Sequence, residues 1–333
     1  MRSVAAQRVV LDNSESLFVG KACSALASKA MNSSLREKFG SSEDARLWAQ
    51  FIAFAPFVFQ TGRSLRDLGI LNFLGETADG AAFAELRERS GLSDYSLQVL
   101  LDAGESCGLV YAENGKYLVA PAGRFLASDP LTNVNMNFTN DICYEGLRKL
   151  PESLRSGKPE GLSVFGDWAT IYSGLTELPP QALRSWLDFD HHFSDDAFPK
   201  ALSLLSKDAP RRILDVGGNT GKFAIACARF NPAASITMLD HPRQLELARK
   251  NIVASGLEAR IERMPMDLLD HSRPFPKGYD TIWMSQFLDC FGKRDILGLF
   301  RRAREAMSET ANFSTSGEFL TYARIPPNRM ITK

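Results

Sequence analysis

From Asp44 to Leu74 apolar positions return at helical spacing, and Gly69 or Gly75 is placed to end a helix. Within this stretch Leu47–Phe59 (LWAQFIAFAPFVF) is the most apolar run of the chain. It is shorter than the about 20 residues a bilayer crossing needs and carries Gln50 and Pro56, so it predicts a buried or interface helix and no membrane span. The following AAFAELRERSGLSDYSLQVLLDAGESCGLV reads as a helix over Ala82–Arg89, a tight turn at Gly91 and a second helix over Ser93–Cys107. It runs into VYAENGKYLVA, two alternating strands joined by Asn114 and Gly115, the pair that best tolerates the positive φ angles of a type I′ hairpin. Together these elements predict a winged helix over about residues 82–120.

Residues 121–185 read as mostly helical, punctuated at Gly157-Lys158-Pro159 and Pro179-Pro180, with Trp168 and Trp186 as core residues. From Pro210 the pattern changes to apolar β-rich runs alternating with helical stretches, which predicts a parallel sheet with crossover helices. The predicted strands are Arg212–Val216, Ser235–Asp240, Arg260–Pro265, Tyr279–Met284 and Glu318–Arg324. The helix Pro242–Ser255 has Pro at its start, Leu245, Ala248 and Ile252 on one face, and Gly256 as its stop. Residues 1–40, rich in Ser and Ala with weak periodicity, are expected to begin loosely ordered.

A chain of 333 residues has room for about two domains, and 44% hydrophobic with 23% charged residues is a globular balance that excludes disorder as the ground state. Lys+Arg and Asp+Glu both number 39, so the long-range attraction to phosphate that a nucleic-acid binder carries is missing. The second helix of the winged helix sharpens this. It has no Lys or Arg between Ser93 and Cys107, and Asp94, Asp102 and Glu105 would be repelled by the phosphates beside a major groove. Packing or dimerisation is the better use for it, and no nucleic acid is expected. Five scattered cysteines, without a C-x-x-C or a His at ligand spacing, predict reduced thiols in a cytosolic protein and no metal.

Chemistry concentrates after the first strand of the second half, in D-V-G-G-N-T-G from Asp215 to Gly221. Its glycines permit close backbone approach, and the helix that follows can offer N–H groups to a nucleotide-like ligand. The dinucleotide fingerprint would need Gly where this chain has Val216, which disfavours NAD. Asp240 ends the second strand as an acceptor for paired ribose hydroxyls, and Asp267 follows the third, where it could accept from an adenine amino group. Each acid alone is as readily a turn former.

A Gly-rich turn, an acid and a second acid on successive strand ends resemble the class I S-adenosylmethionine-dependent methyltransferases. With a winged helix before them, they are similar to the O-methyltransferase family that includes plant caffeate and animal hydroxyindole enzymes and many bacterial relatives. The likeness covers about Asp44 to Met307. It implies an α/β fold: a doubly wound Rossmann-like methyltransferase domain over 186–333, preceded over 1–185 by an α-helical winged-helix domain through which two copies dimerise. It implies S-adenosylmethionine as cofactor, held by Asp215, Gly217, Gly218, Gly221, Asp240, Asp267, Leu268 and Ser285. Phe189-Asp190-His191-His192-Phe193-Ser194-Asp195 fits the family's F-N-x-x-M-S-D segment. By that match Ser194 touches the cofactor carboxylate, while Phe189 and Phe193, with Gln286 and Phe287, line the pocket of a small aromatic or polyene-like hydroxyl acceptor.

Two departures stand out. Plant-type members carry a catalytic His in H-D-W after the fourth strand, and here the matching positions are Asp289, Cys290 and Phe291. An ordinary Asp, with a pKa near about 3.9, is a feeble base toward a phenol. Three accounts stay open: Asp289 is raised by burial and accepts the proton, His191 or His192 accepts it from the other wall, or the acceptor needs no base. Secondly, only IPPNRMITK follows the expected fifth strand, so the methyltransferase domain reads as C-terminally shortened. These departures keep two other readings in view, a catalytically impaired relative that binds and regulates, and a winged-helix regulator with a ligand-sensing domain.

Overall fold

The computed structural model describes residues 39–205 and 210–316. They form two compact units that meet in sequence at Tyr144 and Glu145. Residues 1–38 and the expected strand Glu318–Arg324 lie outside the described residues.

The first unit runs through α1 (Ser42–Ala53), α2 (Ala55–Asp67), α3 (Ile70–Glu76), α4 (Phe83–Ser90) and α5 (Asp94–Ser106), then β1 (Val110–Glu113) and β2 (Lys116–Val119), and closes with α6 (Pro121–Ser128) and α7 (Pro130–Phe138). Local chemistry sets its boundaries. The Ser41 and Ser93 hydroxyls accept from backbone N–H groups in the first turns of α1 and α5, and Gly69 at φ +74° breaks α2 from α3. The hairpin is as expected: β1 and β2 pair antiparallel from Val110↔Val119 to Glu113↔Lys116, with Asn114 and Gly115 at φ +50° and +76°. Leu65, Ile70, Leu71, Leu74, Leu86, Leu97 and Leu101 form a core with no exposed surface beyond 1%, each worth about 1.5–3 kcal/mol of burial. In contrast α1 buries none of its residues; Leu47 and Ile52 are more than half exposed, as is Phe57 just beyond it.

The second unit begins with α8 (Leu150–Ser156), the single turn α9 (Ile171–Gly174), α10 (Pro180–Ser194) and α11 (Phe198–Leu205). Residues 145–185, placed in the N-terminal half on sequence, cluster with the sheet in the second unit, where Tyr172 meets Phe287 and Phe291 edge-on at 5.5 Å. The sheet then alternates β3 (Arg212–Val216), α12 (Lys222–Phe230), β4 (Ser235–Asp240), α13 (Pro242–Ala254), β5 (Ile261–Pro265), β6 (Tyr279–Ser285), α14 (Lys293–Ala306) and β7 (Met307–Ser316). Its order is β5-β4-β3-β6-β7 and every pair is parallel. Apolar clusters cover both faces, one around Ile213, Ile236 and Trp283 and the other around Leu214, Leu239 and Ile282. Among the described residues the fifth strand of the sheet is β7. Its sequence, MSETANFSTS, has none of the apolar patterning that marks a buried strand, and pairing with β6 is what defines it. The strand order reverses at β3, so the crevice beyond the carboxyl ends of β3 and β6 is where such a sheet takes a ligand.

Among the described residues no helix is long and apolar enough to cross a membrane, and no cluster of side chains could hold a metal ion.

Candidate active site

β3 delivers Asp215 and the glycine-rich turn to that crevice. Gly217, Asn219 and Gly221 all take positive φ, at +76°, +50° and +78°. The turn uses its donors internally: Gly217 N–H donates to Leu239 O at 2.8 Å, Asn219 N–H to Asp240 Oδ2 at 2.9 Å, and Gly221 N–H to Gly218 O at 2.9 Å. The protein's own packing also demands the first two glycines. A Cβ at Gly217 would run into the Phe287 ring, and one at Gly218 would lie 2.7 Å from Met238 and 2.8 Å from Asp215 Oδ2.

The acids dominate the electrostatics. Asp215 is 2% exposed, its Oδ2 is buried without a partner, and burial with the neighbouring Asp240 pushes its pKa up to about 7. Asp240, equally buried, accepts from His241 N–H at 2.7 Å as well as from Asn219. Burial outweighs these bonds and lifts its pKa to about 6. The Tyr172 hydroxyl faces Asp240 and Asp267 without a well-formed hydrogen bond, and burial followed by Asp240 pushes its pKa up.

Two adjoining hollows open here and share Asp190, Gly217, Asn219 and Gln286. The larger is walled by Tyr172, Trp186, Asp240, His241, Gln244 and Phe287. The other is walled by His191, Ser194, Asp215, Lys222 and Ser285. Three carboxylates, Asp190, Asp215 and Asp240, therefore face one cleft, while the cation Lys222 is paired with Asp195 at 2.8 Å.

The predicted residues of α10 divide by helical face. Trp186, Asp190 and Ser194 form the stripe that lines the hollows, and Ser194 is buried with its hydroxyl 3.3 Å from Asp195. Phe189 and Phe193 sit together on the neighbouring stripe with ring centroids 4.8 Å apart. His191 Nε2 lies 3.0 Å from the Thr220 hydroxyl, which ties α10 to the glycine-rich turn. Burial and then Lys222 hold its pKa below the ordinary His value. His192 packs edge-on against Phe193.

After β6, Gln286 adopts φ +48°, Phe287 is buried against Gly217, and Asp289 stands on the short turn Leu288–Cys290 between cleft-lining residues. Asp267 is exposed and also forms its own turn, accepting from Leu269 N–H at 2.9 Å, while Leu268 is fully buried beneath it. Sequence reasoning missed Tyr172, Asn219 and Gln244. Gln244 did leave a signal, a polar residue four positions before Ala248 and eight before Ile252, on the buried stripe of α13.

Residues 46–117 match the Dimerisation2-like domain family, and residues 213–310 match the Methyltransferase domain family. The chain is 28% identical over 263 residues to an L-tyrosine C(3)-methyltransferase of Streptomyces lavendulae, covering 78% of this chain and 71% of the relative. It is 37% identical over 215 residues to a 3-hydroxy-5-methyl-1-naphthoate 3-O-methyltransferase of Streptomyces sahachiroi, covering 63% of this chain and 60% of the relative. It also superimposes on the apo crystal structure of the S-adenosylmethionine-dependent methyltransferase SibL, with a TM-score of 0.58, 27% identity, and 80% and 78% of the two chains covered.

Proposed function

We propose that this chain, which belongs to the S-adenosylmethionine-dependent methyltransferases with an N-terminal dimerisation domain, methylates an aromatic acceptor at a hydroxyl. The observation that carries the reading is the cleft's charge. Asp190, Asp215 and Asp240 face it, the turn's N–H groups are largely spent, and two acceptors, Asp215 Oδ2 and Gln244 Oε1, are buried without donors. Such a wall repels a pyrophosphate and suits a cationic, hydroxyl-bearing ligand. The residues therefore fit S-adenosylmethionine: Asp240 toward the ribose, and Asp215 and Ser194 toward the amino-acid end, whereas Asp267 and Leu268 line neither hollow.

When bound, that cofactor supplies an electrophilic methyl group on a sulfonium. The chain's own work is alignment, which is worth about 7–11 kcal/mol in such reactions, and removal of the acceptor's proton. Phe287 and Trp186 give the larger hollow apolar walls on which an aromatic ring can lie. We assign the proton to Asp289, which stands beside the cleft-lining Phe287 and Cys290 on the turn after β6; His191, whose Nε2 is engaged with Thr220, and His192 are the second candidates. Loss of that proton makes a phenol oxygen and its ortho carbon both nucleophilic. The similarity to an L-tyrosine C(3)-methyltransferase therefore favours ring carbon as the second reading.

The exposed apolar residues of α1 and the start of α2 lie within the Dimerisation2-like match, and we assign them to a second copy of the chain. The free cysteines Cys107, Cys143, Cys227 and Cys290 accord with a reducing, cytosolic setting. Titration calorimetry with S-adenosylhomocysteine tests the cofactor site. Binding should weaken at least about tenfold in Asp240→Ala, since a hydrogen bond to a charged group is lost, and absence of heat with the wild type ends the proposal. Incubation with labelled cofactor and a panel of phenols tests the reaction: turnover abolished by Asp289→Asn with cofactor affinity retained supports the assignment, and the product's methyl position separates oxygen from carbon.

A further inference from the structure

Asp190, Asn219 and Gln244 form a relay along the wall of the larger hollow. Asn219 Nδ2 donates to Asp190 Oδ2 at 3.2 Å, and Gln244 Nε2 donates to Asn219 Oδ1. An ionised carboxylate can only accept, so Asp190 fixes the direction of both amides. Asn219 turns its NH2 toward Asp190 and its oxygen toward Gln244. Gln244 then turns its NH2 toward Asn219, spending one of its two N–H groups there, and turns its oxygen away from it. That acceptor, Oε1, is buried without a partner on a residue that is 4% exposed and lines the same hollow as Asp240 and His241. A buried acceptor without a donor is unfavourable, and a ligand hydroxyl would satisfy it. Asp240 stands beside it with two backbone donors bound and the Tyr172 hydroxyl facing it, and a carboxylate's four lone pairs leave room for a second ligand hydroxyl.

We propose that Gln244 Oε1 accepts a hydrogen bond from one of the two ribose hydroxyls of the cofactor, beside Asp240, and that Asp190 sets the polarity of this contact through Asn219. The inference rests on the cofactor reading above. Gln244 is then a binding residue, whereas Asn219 and Asp190 are positioning residues. Asp190 also places the relay on α10, the helix that brings Trp186 to the same hollow, so one carboxylate there helps to fix how the ribose is read on α13.

The test is calorimetric titration of the full chain with S-adenosylhomocysteine and with its 2′-deoxy and 3′-deoxy forms. The wild type should bind at least one deoxy form about tenfold more weakly than the parent, the size of one good hydrogen bond. In Gln244→Leu the parent should lose about tenfold, and that deoxy form should come within about twofold of it. Asp190→Asn, which lets both amides turn over, should shrink the same penalty by about threefold while the parent still binds. Deoxy penalties of wild-type size in Gln244→Leu would overturn the contact, and an unchanged penalty in Asp190→Asn would overturn the polarity relay even where Gln244→Leu does not fold. A wild type that binds none of the three ligands would instead remove the cofactor reading on which the contact depends.

Discussion

Lowering the pH should stabilise this protein relative to its Asp215→Asn variant. Asp215 is buried, its Oδ2 has no partner, and its pKa stands at about 7 against the ordinary 3.8. The folded chain therefore holds a proton there that the unfolded chain has released between about pH 4 and 7, and stability contributed by that proton is lost as pH rises through the folded value. From pH 7.5 to 5.5 the gain on acidification is about 2 kcal/mol for this group alone, or roughly 4–8 °C in melting temperature for a unit of this size. His191 acts in the opposite sense, because its pKa is lowered and the unfolded chain takes up its proton more readily. That effect is common to both proteins and cancels in the difference. Urea unfolding of wild type and Asp215→Asn at the two pH values measures it. A difference between the two proteins that stays flat would show that Asp215 ionises as an exposed carboxylate does, and the argument that burial beside Asp240 raises it would fail.

Gly174→Ala should cost about 1–3 kcal/mol by overpacking, since its Cβ would run into the Trp168 ring; thermal melts check this, and an S-adenosylhomocysteine titration should show weaker binding because α9 also carries Tyr172. Arg302→Met should destabilise by about 1–3 kcal/mol, because the buried guanidinium donates to Leu268 O at 2.7 Å and lies 4.1 Å over Phe275. Denaturant titration would detect that loss, and unchanged stability would refute it. In the first unit Leu101→Ala should cost about 2–5 kcal/mol, read from the same titration, given a side chain with no exposed surface in a leucine-rich core.

The elements legible in the sequence are those whose signal is local. β3 and β4 are apolar runs ended by an acid, because a parallel strand buried on both faces cannot alternate, and their carboxyl ends place Asp215 and Asp240 in the crevice automatically. The hairpin at Asn114 and Gly115 is written in two residues. β7 is the converse: a polar decapeptide made into a strand by a neighbour more than twenty residues earlier in the chain. Tyr172 is likewise unreadable, since nothing near it in sequence says that its ring will meet Phe287 and Phe291 or its hydroxyl Asp240.

The glycine-rich turn shows how far a motif can be taken. Read from sequence, its glycines admit a ligand's backbone approach and its helix offers donors to an anion. In the folded chain the room beside Gly217 is filled by Phe287, and the N–H groups of Gly217, Asn219 and Gly221 are bonded within the protein. What faces the cleft is a set of acceptors: Asp190, Asp215, Asp240 and the amide oxygen of Gln244. A phosphate-binding turn and this one can share a glycine pattern and yet select ligands of opposite charge, because selection depends on which backbone donors the surrounding strands have already taken. Here the donor from Asn219 goes to Asp240, and that single bond both removes a hydrogen from the anion site and orients the acid toward hydroxyls.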